Sequence, residues 1–153
     1  MSILVIQGPH RNTGGRASSP KALIESIAGR AGSLGTSVLS RTCSSIADMS
    51  KCLGKSCPKD VEMVLLDSGD LETADLDKNS GELRSAIDHL QPPYIEVHDD
   101  CAQALEPRLQ LNHSPMVTVI IKNNLKESYA LAMAIAAMRL RPVIADSSQT
   151  IQA

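Results

Sequence analysis

Residues 95–101 read IEVHDDC, and four kinds of side chain able to bind a metal or move a proton fall between Glu96 and Cys101. Three chemistries fit the stretch. In a β-strand, residues i and i+2 share a face, so Glu96 can orient the imidazole of His98 and suit it to act as a general acid. The same geometry describes a partly buried histidine paired with a glutamate for stability alone. The third option is one histidine with several carboxylates around Mn²⁺ or Fe²⁺. Against it, Asp99 points away from Glu96 and His98 if the strand continues, and adjacent residues seldom converge on one ion.

A second candidate is the segment GPHRNTGGRASSPK at 8–21. It carries His10, Arg11, Arg16 and Lys21 among Gly8, Gly14 and Gly15. Glycines let the backbone approach a ligand, and a helix behind them presents free N–H groups, so an anion site is one reading. A flexible, solvated loop is the other. The spacing is not that of a Walker loop. Nor is GKS at 54–56, because Met49 stands where the earlier glycine is required. Cys52 and Cys57 have no second ligand pair at a zinc-like spacing.

The elements that must hold these residues follow from the apolar pattern. Ile3–Gln7, Thr36–Ser40, Met63–Leu66, Tyr94–Val97 and Val117–Ile121 read as strands. A helix begins at Ser19, with Pro20 in its first turn, and ends at Gly35. Shorter helical patterns follow at Ser45–Leu53 and from an N-cap at Ser80. The last helix, Leu125–Met138, is apolar nearly all round, which implies deep burial or a subunit interface. Alternation of strand and helix is the signature of a parallel sheet covered on both faces, with ligands at the carboxyl ends of the strands. That brings together the loops 8–21, 67–79 and 98–115 and puts His98 at the mouth. The domain is expected to span residues 1–138, with 139–153 as a tail of no clear period.

Composition narrows the function. A chain of 153 residues can bury a real core. With two tyrosines, no phenylalanine and no tryptophan, it lacks aromatic platforms for stacking bases, and a net charge of −2 gives no field to attract a polyanion. No stretch approaches the roughly 20 apolar residues of a membrane helix. The first apolar run is too short for a secretory signal. A cytoplasmic protein with free thiols, binding neither nucleic acid nor membrane, is therefore expected.

In combination these residues resemble the type II 3-dehydroquinate dehydratases. The first loop keeps Gly8, Pro9, Asn12, Gly15 and Arg16 of a G-P-N-L-N-x-x-G-x-R pattern, the arginine standing one place early. Asp67-Ser68-Gly69-Asp70 stands at the family's N-P-G-A. Ser80, Leu83 and Arg84 match the segment after it, and Glu96-Val97-His98 matches the strand ending E-V-H. Glu106, Arg108, Ser114, Pro115 and Tyr129-Ala130-Leu131 follow in order. The likeness spans about residues 1–138, each motif weak alone and the order fairly specific.

The resemblance implies a flavodoxin-like three-layer α/β fold, with a five-stranded parallel sheet in the order 2-1-3-4-5. It implies a trimer-based dodecamer and a dehydration through an enolate that needs no metal or other cofactor. It also implies His98 as the general acid, Asp67 at the position that orders a water, and arginines, here Arg16 and Arg108, for activation and binding. The departures are specific. No tyrosine occurs in loop 8–21, where the family places its base. Lys78 stands where the family has a histidine. Asp99 and Asp100 replace the residues that hold the substrate carboxylate. At about 4 Å, each aspartate would repel that carboxylate by roughly 1 kcal/mol even in water.

The residues therefore point to a diverged lyase with a small polar substrate. Its expected catalytic set is His98, Glu96, Arg16 and Asp67, with Asp67 a possible substitute base. Asn12, Asp99, Asp100, Arg108 and Lys78 would bind the substrate. Weak or no activity on 3-dehydroquinate is expected. The other reading is a catalytically inactive homologue serving as a binding or assembly module.

Overall fold

The computed structural model describes residues 2–10, 35–54 and 59–140, together with residues 25, 29 and 32. The expected first helix, the loop residues Asn12 and Arg16, and the tail from 141 lie outside them. The strands are β1 (Ser2–Gln7), β2 (Ser37–Thr42), β3 (Val61–Asp67), β4 (Tyr94–His98) and β5 (Val117–Ile120). The helices are α1 (Ile46–Leu53), α2 (Thr73–Asp88), the single turn α3 (Glu106–Leu109) and α4 (Leu125–Leu140), with a 3-10 turn at Cys101–Gln103.

All five strands are parallel and run in the order β2-β1-β3-β4-β5, as expected. Every residue of β1 is buried, which is why it reads as an unbroken apolar run rather than an alternating one. Alternation then sorts the core into two layers. Leu4, Ile6, Val64, Leu66 and Tyr94 pack with Ile46, Met49, Leu76, Leu83 and Ile87 of α1 and α2. Ile3, Val5, Met63, Leu65, Ile95 and Val97 pack with Tyr129, Ala132, Met133 and Ala136 of α4. The chain has no Phe or Trp, and each Leu, Ile or Met buried in these layers contributes about 1.5–3 kcal/mol.

Three expectations need correcting. Helix α2 starts at Thr73, not at Ser80, so the loop after β3 is only residues 68–72. Leu76 continues the apolar row of Leu83 and Ile87 and is buried with them; the charged residues around it disguised the first two turns. The connection 98–115 contains the 3-10 turn and α3 and is not a bare loop. The last helix runs two residues beyond Met138, to Leu140. It buries Tyr129, Ala132, Met133, Ala136 and Ala137 and exposes Leu131 and Met138 on the other side. Among the described residues, no helix is long and apolar enough to cross a membrane.

Candidate functional site

The carboxyl ends of β1, β3 and β4 carry two histidine–carboxylate pairs. The first lies within β4. His98 Nε2 is 2.8 Å from Glu96 Oε1, and the same oxygen accepts the backbone N–H of Leu105 at 2.8 Å. Both side chains are wholly buried, so His98 stands beneath the mouth of the site and not at it. The expected sharing of a face by Glu96 and His98 is what makes the bond. Its second partner, Leu105, comes from the connection after the 3-10 turn.

The second pair joins two strands that the sheet order makes neighbours. His10 Nε2 lies 2.7 Å from Asp67 Oδ2. Asp67 closes β3, opposite Gln7 of β1, and His10 follows β1 by three residues. Tyr129 of α4 also donates its hydroxyl to Asp67 Oδ2, at 2.7 Å, and the backbone N–H of Gly69 donates to Oδ1 at 3.0 Å. Burial works against a charged imidazole at His10. The hydrogen bond and charge of Asp67, with the more distant Asp70 and Asp99, outweigh it and raise the pKa above the ordinary histidine value. Burial, then the charge of Asp67 and the bond to it, push the Tyr129 hydroxyl well above its ordinary range.

The two loops between these pairs are locked backbone to backbone. Gly8 N–H donates to Asp67 O at 2.6 Å, and Asp70 N–H donates to Pro9 O at 2.7 Å. A Cβ on Gly8 would fall 2.2 Å from Ser68 O, and one on Gly69, at φ +68°, 2.2 Å from Pro9 O. Only glycine allows this approach. Gln103 closes the far side: its side-chain amide N–H donates to Asp70 Oδ1, and its backbone carbonyl accepts a longer bond from Ser68 Oγ at 3.4 Å.

Buried polar atoms without a hydrogen-bond partner among the described residues gather at this same end. They are both side-chain atoms of Gln7, Glu96 Oε2, His98 Nδ1 and Gln103 Oε1. Buried polar groups are nearly always paired, with protein or with ordered water. A cavity of about 980 Å³ opens at the opposite end of the sheet, against Leu53, Val61, Leu90 and Pro92. It lies far from both pairs and from all of these unpartnered atoms.

The remaining expected site residues are placed as follows. Asp99 is half-buried beside His98, and its carbonyl accepts Asn123 N–H at 3.0 Å. Asp100 is exposed, and its carboxylate caps the 3-10 turn through Ala102 N–H at 3.0 Å. Arg108 is half-buried on α3, and Lys78 is exposed on α2. No described contact joins either of them to the strand ends. Arg16 and Asn12 lie outside the described residues. Among the described residues, no three His, Cys, Asp or Glu side chains converge as a metal ion would require.

Sequence reasoning missed the partnership of His10, Asp67 and Tyr129. His10 stands in the sequence only as a cation of the first loop, and Tyr129 only as part of the Tyr-Ala-Leu motif of the last helix. The signal that could have found the first bond was the strand order itself, which sets the ends of β1 and β3 side by side.

Type II dehydroquinase structures are among the solved structures similar to this chain. Type II dehydroquinase from Propionibacterium acnes superposes with a TM-score of 0.65 at 22% identity, covering 90% of this chain and 98% of that one. A 3-dehydroquinate dehydratase-like protein from Bifidobacterium longum gives a TM-score of 0.57 at 17% identity, covering 91% and 97%. No protein-family model and no curated sequence matches the chain. The chain has the type II dehydroquinase fold, and at these identities the likeness carries the fold alone.

Proposed function

We propose that this protein is a dehydroquinase-like lyase diverged in substrate or activity. It eliminates water from a small polar β-hydroxy carbonyl compound through an enolate, and His98 gives its proton to the departing hydroxyl. The observation that carries this reading is the buried Glu96–His98 pair, with its unpartnered Nδ1, at the carboxyl edge of a sheet with this topology. Such an edge is where parallel sheets bind ligands. Glu96 fixes the ring, and Leu105 N–H fixes Glu96. Asp99, Arg16 and Arg108 complete the pocket in this proposal. Asp99 beside the site disfavours a carboxylate-bearing substrate, so turnover of 3-dehydroquinate is weak.

The proposed protein is a cytoplasmic homo-oligomer. Leu131 at 48% and Met138 at 71% exposure leave the outer face of α4 apolar, which supports assembly. The trimer-based dodecamer comes from the family resemblance.

The complete burial of both His98 and Glu96 favours a second reading, a non-catalytic binding or assembly module. Ultraviolet detection of enone formation from 3-dehydroquinate, at high protein concentration, separates the two. The lyase reading expects slow turnover that His98→Ala abolishes with circular dichroism unchanged. Enone formation that His98→Ala leaves unaltered sinks the assignment of His98. Turnover at ordinary enzyme rates sinks the claim of divergence.

A further inference from the structure

We infer that His10 is the proton acceptor of this site, positioned by Asp67 and Tyr129; the inference rests on the lyase reading above. An elimination through an enolate needs a group that removes a proton beside a carbonyl. The first loop offers no tyrosine for this. Tyr94 donates its hydroxyl to His113 O at 2.6 Å. Tyr129 is buried, with its hydroxyl donating to Asp67, and the same burial and charge hold that proton in place.

Asp67 is itself a poor acceptor from a ligand. It is fully buried, and three donors occupy its two oxygens. The same arrangement makes Asp67 a good orienter. By accepting at Nε2, it places the histidine N–H there and leaves the lone pair of the neutral ring on Nδ1. Among the described residues nothing bonds to His10 Nδ1. The His10 side chain keeps 18% of its surface exposed while Asp67 keeps none, so the imidazole is the member of the pair that can meet a ligand.

Two further observations support the assignment. The clamp of Gly8 and Gly69 holds the loop of His10 against the loop of Asp67 through backbone bonds of 2.6 and 2.7 Å. Rigid support of this kind is what a reacting group requires. The charges acting on His10 come from Asp67 on β3, Asp70 after it and Asp99 after β4. Asp99 adjoins His98, so both pairs belong to one rim.

In the reaction, a C–H next to the carbonyl passes its proton to His10 Nδ1, and its electron pair forms the enolate. The enolate then collapses, the C–O bond breaks, and the departing hydroxide takes the Nδ1 proton of His98, which enters the step protonated on both nitrogens with its Nε2–H held by Glu96. Water leaves and a conjugated C=C remains. His10 ends with one proton more and His98 with one fewer, and exchange with solvent restores both.

The test follows loss of the C–H signal beside the carbonyl by proton NMR in ²H₂O. The probes are 3-dehydroquinate and, without a carboxylate, 3-hydroxycyclohexanone. The native protein is expected to exchange that proton above the protein-free rate, and His10→Asn to slow it at least about 100-fold. The native rate is expected to rise with pH through one ionisation above the ordinary histidine value, and Asp67→Asn to move that midpoint down. Exchange that survives His10→Asn, or a flat pH profile in the native protein should that variant not fold, overturns the inference and leaves the lyase reading standing. No exchange by the native protein on either probe overturns both.

Discussion

The two histidine–carboxylate pairs use the same atoms and differ in their surroundings. In each, Nε2 faces a carboxylate, at 2.8 Å for His98–Glu96 and 2.7 Å for His10–Asp67. The β4 pair comes from one strand, two residues apart, and is sealed from solvent. The other pair spans 57 positions of sequence, is held by a backbone clamp, and leaves its imidazole partly open. A pair built within one strand is fixed by the strand itself. A pair built between loops needs the glycines, the hydroxyl of Tyr129 and the turn at Gly69 to be equally well placed. The difference is one of exposure: the His98 ring is sealed within the sheet edge, and the His10 ring is partly open.

Breaking the sealed pair should have the larger effect on stability. Glu96→Ala leaves the His98 ring and the Leu105 N–H without a partner in the core, and should destabilise by about 3 kcal/mol in urea unfolding. A loss under about 1 kcal/mol would mean that the region opens to water readily, contrary to the burial described. His10→Ala should cost less, about 1 kcal/mol, since Asp67 keeps Tyr129 and Gly69 as donors.

The pH dependence of that smaller loss has a definite sign. The folded pKa of His10 is raised, so the pair's stabilisation is fully present below the unfolded value of about 6.5 and fades as pH rises through the folded value. Unfolding of the native protein and His10→Ala across this range should give curves that converge at alkaline pH. Curves that diverge there would contradict the raised pKa.

Much of the fold was legible because burial writes itself into the sequence. The apolar run of β1 and the motif at Glu96–His98 gave the sheet and one of the two pairs. The N-cap of α2 was misplaced by eight residues, Ser80 for Glu72, because Asp75, Asp77 and Lys78 concealed the row that Leu76 begins. The contribution of Tyr129 was illegible for a different reason. The bond from Tyr129 to Asp67 spans 62 positions and exists only once α4 packs across the sheet. Asp100 shows the limit in the other direction. As a residue type it promised ligand chemistry, yet its carboxylate caps a turn.

The central claim is that the two pairs divide one elimination between them, His10 taking the first proton and His98 supplying the second. The most direct measurement follows both steps in one sample of His98→Ala, with 3-dehydroquinate or 3-hydroxycyclohexanone in ²H₂O. Proton NMR reads C–H exchange while ultraviolet absorbance reads the enone. Exchange is expected to continue near the native rate while enone formation stops. Loss of both together, or persistence of both, would contradict the division of roles.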